Sequence, residues 1–451
     1  MKSIIAKKSW LANSDLRLDA SYHLSEGQLT LTAFQKANIP TQTLRNVTER
    51  IFYGGRSRRI YVNNLDNGLP FIKGADIVKA DFSNLKIISR KRTANLKEYF
   101  LEEGWTVITR SGTIGNTAYV NKDFIGKAAS DDIIRVVPKN VLSGFLYAFL
   151  SSKNGKALLT HGTYGAVIQH IEPEHIENIP IPNFSPEKQQ RIHELIIGSA
   201  DLRVEANRLL AEAHKEISKA FSIDYVDKQN SGGISLNTLR TSHTSRFEAT
   251  YYLTKGYKIQ EEIIKKYKYL TLGDVTSNIF RPGIFKRVYV ENGITFLGGS
   301  EITKAKPEGD KRLSRTKTQG LKDLMLKKHW ILVTCGGTIG NMAYVDSEME
   351  KCAASQHILR LVPSKVLSGY LYAFLSSEIG KEIITSYTYG SVIPQIEPHH
   401  ISRIPIPIVD KDIELQIHEL VMKYVENIEL SKIKENQAIQ LVEKEIEQWQ
   451  N

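Results

Sequence analysis

The chain has 451 residues, 41% of them hydrophobic and 24% charged, with a formal net charge of +11. This balance excludes general disorder, and the longest apolar run, near "VLSGFLYAFL", is too short to span a bilayer and is broken by Ser143 and Gly144. "MKSIIAKKSW" lacks the apolar stretch of a secretory signal, and two cysteines without metal-ligand spacing, Cys335 and Cys352, fit reduced thiols, so a cytoplasmic protein with no membrane association is expected.

Taken in chain order, the first distinctive element is "RLDASY" (17–22), followed by the basic stretch "ERIFYGGRSRR" with Arg56, Arg58 and Arg59, and then by Arg90, Lys91 and Arg92. "WTVITRSGTIGNTAYV" sets two β-branched runs around a Gly-rich turn, which predicts a hairpin in which Gly112 and Gly115 supply φ angles that other residues avoid. "LSGFLYAFLSS", "TYGAVIQHI" and "EPEHI" lead to "IPIP", whose alternating prolines force an extended path. A helix then starts at Ser185 as N-cap with Pro186 in the first turn, carrying Ile192, Leu195, Leu202, Leu209 and Ile217 at three- and four-residue steps.

The whole order is then written again. "RSGTIGNTAYV" and "CGGTIGNMAYV" agree at eight of eleven positions at an offset of 225, and residues 141–182 and 366–407 agree at 28 of 42. The stretches 78–100 and 303–325 are both basic but share almost no wording, so framework repeats and loops do not. The second copy ends in a helix carrying Ile417, Leu420, Tyr424, Ile428, Leu441, Val442, Ile446 and Trp449, with a weaker stripe over 431–437. The two helices are about 54 and 61 Å long at about 1.5 Å per residue, longer than a small core requires, and are natural partners for each other. The expected fold is α/β (α+β): domains over 1–184 and 223–409, each followed by a long helix (185–222 and 410–451). The helices pair as an antiparallel coiled coil with pseudo-two-fold symmetry.

Catalytic signatures are missing. No Pro-Pro dipeptide exists, so the Asp/Asn-Pro-Pro-aromatic loop of amino-directed DNA methyltransferases is absent, and the Gly-Lys pairs at 126, 155 and 380 are followed by Ala or Glu, so no phosphate-cradling loop exists. "HELII" and "HELVM" lack a second zinc-binding His and point to packing or capping, while Asp131 and Asp132 become Gln356 and His357 in the second copy, which argues against a metal-dependent nuclease. What remains is binding. Residues 186–221 carry six acidic and six basic side chains and 410–450 ten and five, so the positive charge is concentrated outside the helices. Phosphates account for that charge, and base edges are read by Arg, Gln or Asn on a fixed scaffold. The candidates are Arg56, Arg58, Arg59, Arg90, Lys91, Arg92, Arg110, Tyr164 and Gln169 in the first copy. In the second they are Arg281, Lys286, Arg287, Arg312, Arg315, Lys317, Tyr389 and Gln395.

With its two Gly-Thr-Ile-Gly turns and its "IPIPNFSPEKQQRI" and "IPIPIVDKDIELQI" segments, the chain resembles the specificity subunit of type I restriction-modification systems along nearly its whole length. The resemblance implies a non-catalytic chain that selects a bipartite double-stranded DNA target. It implies two methyltransferase subunits that bring S-adenosylmethionine, and motor-nuclease subunits that bring ATP and Mg. Two rival readings are a stand-alone sequence-specific DNA-binding regulator and the specificity component of a related multi-subunit defence system.

Overall fold

In the computed structural model, which describes residues 20–56, 58–161, 170–221, 235–242, 246–390 and 392–450, the repeated Gly-rich turn closes a hairpin in both copies. Thr106–Thr109 pairs antiparallel with Thr117–Tyr119, and Ile331–Thr334 with Met342–Tyr344. A threonine braces each turn. Thr109 Oγ1 donates to Thr113 O at 2.5 Å and accepts from Asn116 N at 3.0 Å; Thr334 repeats both bonds with Thr338 and Asn341 at the same distances. Gly112 and Gly337 take φ of +74° and +79°, and a Cβ at either would meet nothing within 4 Å, so conformation rather than space demands glycine. The turn was written twice because the scaffold was.

The chain divides into two compact units, residues 1–204 with 430–451, and residues 205–429. Both mix helix and sheet. The first unit holds a four-stranded sheet in the order Thr48–Phe52, Ile133–Pro138, Thr106–Thr109, Thr117–Tyr119. The second repeats it as Thr276–Phe280, Ile358–Pro363, Ile331–Thr334, Met342–Tyr344. A smaller sheet accompanies each: Tyr61–Val62, Lys86–Ser89, Gly68–Ile72 and Ala128–Ala129 in the first, Arg312–Leu313, Tyr289–Leu297 and Ala353–Ala354 in the second. The "IPIP" segments are extended as predicted, Pro180–Pro182 pairing with Thr41–Thr43 and Pro405–Pro407 with Tyr269–Thr271.

The apolar "LSGFLYAFLS" and "LSGYLYAFLS" runs form the helices Ser143–Ser151 and Ser368–Ser376, almost wholly buried. Each meets a long helix at a glycine. Gly144 N donates to His193 Nδ1 and Gly369 N to His418 Nδ1, both at 3.1 Å, and a Cβ on either glycine would lie within 3.0 Å of the histidine. The "HEL" histidines are therefore packing and hydrogen-bonding groups. Burial lowers the pKa of both, keeping Nδ1 free to accept.

The long helices are Pro186–Ala220 and Lys411–Gln450, and each lends a part to both units. In the first unit Ile192, Ile196 and Ala200 share a core with Ala438, Val442 and Ile446, and the segments run antiparallel: Lys188 pairs with Glu445 and Arg203 with Glu435. In the second unit Leu210, Ala213 and Ile217 share a core with Ile417, Val421 and Val425. The inward face of the weak stripe over 431–437 is polar. Ser431, Lys432 and Glu435 are hidden there, Ser199 Oγ donates to Ser431 O at 2.8 Å, and Glu435 accepts from Tyr147 Oη at 2.8 Å and from Arg203. No helix among the described residues is long and apolar enough to cross a membrane.

Candidate nucleic-acid interface

Strand pairing collects basic segments that are separate in the sequence. In the first unit Tyr61 pairs with Ile88, and the ladder continues as Ser89 N donates to Ile60 O at 2.7 Å. Arg58 and Arg59 therefore lie alongside Arg90, followed by Lys91 and Arg92, all five exposed. They are not equally available. Arg59 Nη2 donates to Asp131 Oδ1 at 2.5 Å and Asp132 Oδ2 at 3.2 Å, and Arg56 Nε lies 3.8 Å from Asp131 Oδ2. Arg58, Arg90, Lys91 and Arg92 have no ion-pair partner among the described residues, so they present their charge outward.

The second unit builds the same edge from different residues. Tyr289 pairs with Leu313 and Ser314 N donates to Val288 O at 2.8 Å, which places Lys286 and Arg287 alongside Arg315 and Lys317, while Arg312 faces Thr295. Lys286, Arg312, Arg315 and Lys317 are exposed, and Arg287 lies 4.7 Å over the Phe296 ring. Gln356 and His357 replace the two aspartates, so no carboxylate neutralises this edge from that loop.

Several sequence candidates lie inward instead. Arg110 is 6% exposed, stacked 4.3 Å from the Tyr53 ring centroid, and its Nε donates to Glu172 at 3.1 Å. Arg281 Nη1 donates to Glu397 Oε1 at 2.5 Å, and its Nε donates to Gln356 O at 2.9 Å. Tyr389 Oη donates to the same Glu397 oxygen at 3.1 Å, and Tyr389 exchanges backbone bonds with Gln395 across Gly390 at φ +90°. Arg110, Arg281 and Tyr389 are thus each held by a carboxylate rather than presented freely as Arg58 is, and these contacts tie their loops together. Gln395 contributes its backbone to that turn and its side chain is half-buried. Tyr164 and Gln169 lie outside the described residues.

Composition and pattern also passed over a buried support. Arg135 and Arg360 are fully buried and meet carbonyls rather than carboxylates: Arg135 reaches Ala129 O at 2.7 Å and Ser130 O at 3.0 Å, Arg360 Ala354 O at 2.6 Å and Ser355 O at 2.8 Å. Burial pulls both pKa values down to about 10, which leaves them charged at neutral pH. Each guanidinium ties down the loop carrying Asp131 and Asp132, or Gln356 and His357. Their match at an offset of 225 was the available signal.

A second omission is an aromatic and cationic group on each small sheet. Lys86 Nζ lies 5.2 Å from the Tyr61 ring, which meets Phe71 edge-on at 6.4 Å; Lys311 Nζ lies 5.6 Å from Tyr289, which meets Phe296 at 6.3 Å. Arg59 and Arg287 lie over the same two phenylalanines, at 5.5 and 4.7 Å. Phe71 and Lys86 match their counterparts at an offset of 225, whereas Arg59 and Tyr61 match at 228, because the first unit carries a longer turn between them. An ungapped comparison cannot align both halves.

Among the described residues no three His, Cys, Asp or Glu side chains are grouped to hold a metal ion. The fold and its surfaces define a duplicated α/β scaffold that carries two similar basic edges with different residues. The model of the type I restriction modification DNA specificity domain matches residues 56–197 and 264–441, and the chain belongs to that family. Among solved structures, the type I restriction-modification S subunit from M. genitalium is 14% identical over 92% of this chain and 96% of that one, with a TM-score of 0.29. The HsdS subunit from Thermoanaerobacter tengcongensis is 14% identical over 91% and 96%, with a TM-score of 0.28. No curated protein matches the sequence.

Proposed function

We propose that this chain is the specificity subunit of a type I restriction-modification complex, which reads a bipartite, asymmetric double-stranded DNA target with one element per unit. The observation that carries this reading is that the family match falls on both units while their exposed basic edges differ: Arg58 and Arg90–Arg92 in one, Lys286, Arg312, Arg315 and Lys317 in the other. Identical edges would read a palindrome; unlike edges read two unlike elements. The chain itself carries no catalytic step. Two methyltransferase subunits supply S-adenosylmethionine chemistry, and motor-nuclease subunits supply ATP- and Mg-dependent translocation and cleavage, in the cytoplasm.

In this reading the two long helices pair along their length as an antiparallel coiled coil with pseudo-two-fold symmetry, and set the distance between the two DNA elements. Mapping methylated adenines in the host genome tests it. A motif of two short unlike elements around an unread spacer supports the assignment; a continuous or palindromic motif, or tight operator binding by the chain alone with no methylation, contradicts it.

A further inference from the structure

Tyr61 and Tyr289 occupy one position in the two units and share an unusual setting. Both rings are nearly half exposed, at 43% and 46%; Tyr61 lies on an edge strand of its small sheet, and Tyr289 opens the strand Tyr289–Leu297, where it pairs with Leu313. Each leans edge-on against a buried phenylalanine, Phe71 or Phe296, and has a lysine ammonium within 5.6 Å. An exposed tyrosine gains little from burial, yet the same four side chains, arginine, tyrosine, phenylalanine and lysine, recur although the turn between the tyrosine and the phenylalanine differs in length and the lysine lies in a stretch (78–100 against 303–325) where the two copies share almost no wording.

The cluster is built to hold the tyrosine. The phenylalanine fixes one edge of its ring, and the lysine, placed by the adjoining strand through the pairings Tyr61↔Ile88 and Phe71↔Lys86, lies beside its face. A rigid phenol beside an ammonium presents two hydrogen-bond donors at one surface point, which suits a phosphate oxygen. A base edge is a poorer match: a group identical in both units cannot distinguish two different sequences, whereas the phosphate backbone is the same everywhere.

We infer that Tyr61 with Lys86, and Tyr289 with Lys311, form a matched pair of phosphate-contacting sites, one per unit, which position whichever duplex element the neighbouring Arg and Lys residues read. This inference rests on the proposed DNA-reading function and adds to it a division of labour: repeated side chains position, unlike side chains select. The unequal charge around the two sites refines it. Arg59 is neutralised by Asp131 and Asp132, while Arg287 has no such partners, so the second site carries more positive charge.

The test uses the assembled methyltransferase complex carrying Tyr61→Phe, Tyr289→Phe, Lys86→Ala or Lys311→Ala, measured for affinity to duplexes with and without the target, for salt dependence, and for methylation motif. Each variant is expected to bind all duplexes about tenfold more weakly, the loss of one charge-assisted hydrogen bond, with the motif unchanged. Each lysine variant should also lower the slope of log affinity against log salt by about one. The phenylalanine variants keep the ring packed, so their loss cannot come from misfolding. Wild-type affinity in all four variants, or an altered motif, overturns the inference; a wild-type complex with no sequence preference instead removes the function beneath it.

Discussion

Arg110 and Glu172 form an inward ion pair in the first unit, and the second unit rebuilds it with an arginine from a different strand end. The strand pairings Phe52↔Arg135 and Phe280↔Arg360 make Tyr53 and Arg281 equivalent, while Arg110 corresponds to Cys335. Each glutamate thus keeps one arginine, delivered from position 110 in one copy and from position 281 in the other. The neighbouring place is filled by Tyr53 or by Cys335, whose thiol burial pushes up to about 11.

The exchange predicts an asymmetric cost. Arg110 has 7% of its side chain exposed and Arg281 has 21%, so removing the glutamate strands a buried charge only in the first unit. Glu172→Ala should cost about 3 kcal/mol of local stability, and Glu397→Ala about 1 kcal/mol. Hydrogen exchange of the strands Thr106–Thr109 and Ile331–Thr334 reads each unit separately. Arg110→Cys should be partly rescued by adding Tyr53→Arg, which recreates the second unit's arrangement; no rescue would show that the two positions are not interchangeable.

The elements that could be read in the sequence share one property: a local rule fixes them. Paired glycines forced the hairpin, alternating prolines forced the extended "IPIP" strand, and Pro186 and its counterpart Lys411 begin the two long helices at the same place in each copy. The site was less legible because charge says nothing about direction. Arg58 and Arg110 look alike in sequence, yet one faces solvent and the other a glutamate 62 residues further along the chain, a neighbour in space that no local pattern reveals. The polar 431–437 segment read as a weak stripe because its burial is bought by Arg203, Tyr147 and Ser199 rather than by apolar side chains.

That polar segment carries the next prediction. Glu435 is 6% exposed and holds both Arg203, whose side chain is 18% exposed, and the buried Tyr147 hydroxyl, so Glu435→Ala removes the carboxylate from both and should destabilise the first unit by about 2 to 3 kcal/mol. The joint change Arg203→Met with Glu435→Leu removes both charges and should cost far less. Equal losses in thermal or chemical unfolding would place the stability of this junction elsewhere.

Acid should loosen both junctions between domain and helix. His193 and His418 have pKa values lowered by burial, so below the ordinary histidine value of about 6.5 the unfolded chain binds protons that the folded chain refuses. Stability is full above that value and falls as pH drops through it. His400, pushed down to about 4 by burial and the neighbouring His399, extends the same slope in the second unit. Thermal midpoints measured from pH 7.5 to 5 should decline, and His193→Asn with His418→Asn should flatten the decline; an unchanged slope would assign it to other groups.

Partner docking and domain docking can be separated on one helix. Glu426 is exposed, whereas Glu429 accepts a hydrogen bond from Ser347 N at 2.7 Å. Glu429→Lys should weaken the second unit itself, seen as faster hydrogen exchange around Ser347. Glu426→Lys should leave folding and nonspecific DNA binding intact while weakening assembly with methyltransferase subunits, measured by co-purification. Loss of DNA binding with assembly preserved would show that Glu426 does not lie on a surface for the methyltransferase subunits.

The last prediction concerns the distance between the two DNA elements. Each compact unit takes part of both long helices, the division falling between Val204 and Glu205 in one and between Glu429 and Leu430 in the other. Within the first unit the two helices are locked by Lys188–Glu445 and Arg203–Glu435, and within the second by the shared core of Leu210, Ala213 and Ile217 with Ile417, Val421 and Val425, so lengthening only one helix at the division would put one set of contacts out of register with the other. Inserting about seven residues, two helical turns, into both helices at the division preserves the local contacts and the facing of each apolar stripe. If the helices set the spacing, the methylation motif of the assembled complex should keep both recognised elements and lengthen only the spacer between them. Exchanging residues 17–182 for another family member's corresponding segment should do the opposite, changing one element and leaving the spacer and the other element alone. An insertion that altered the recognised bases, or an exchange that altered both elements at once, would mean that reading and spacing are not carried by separate parts of the chain.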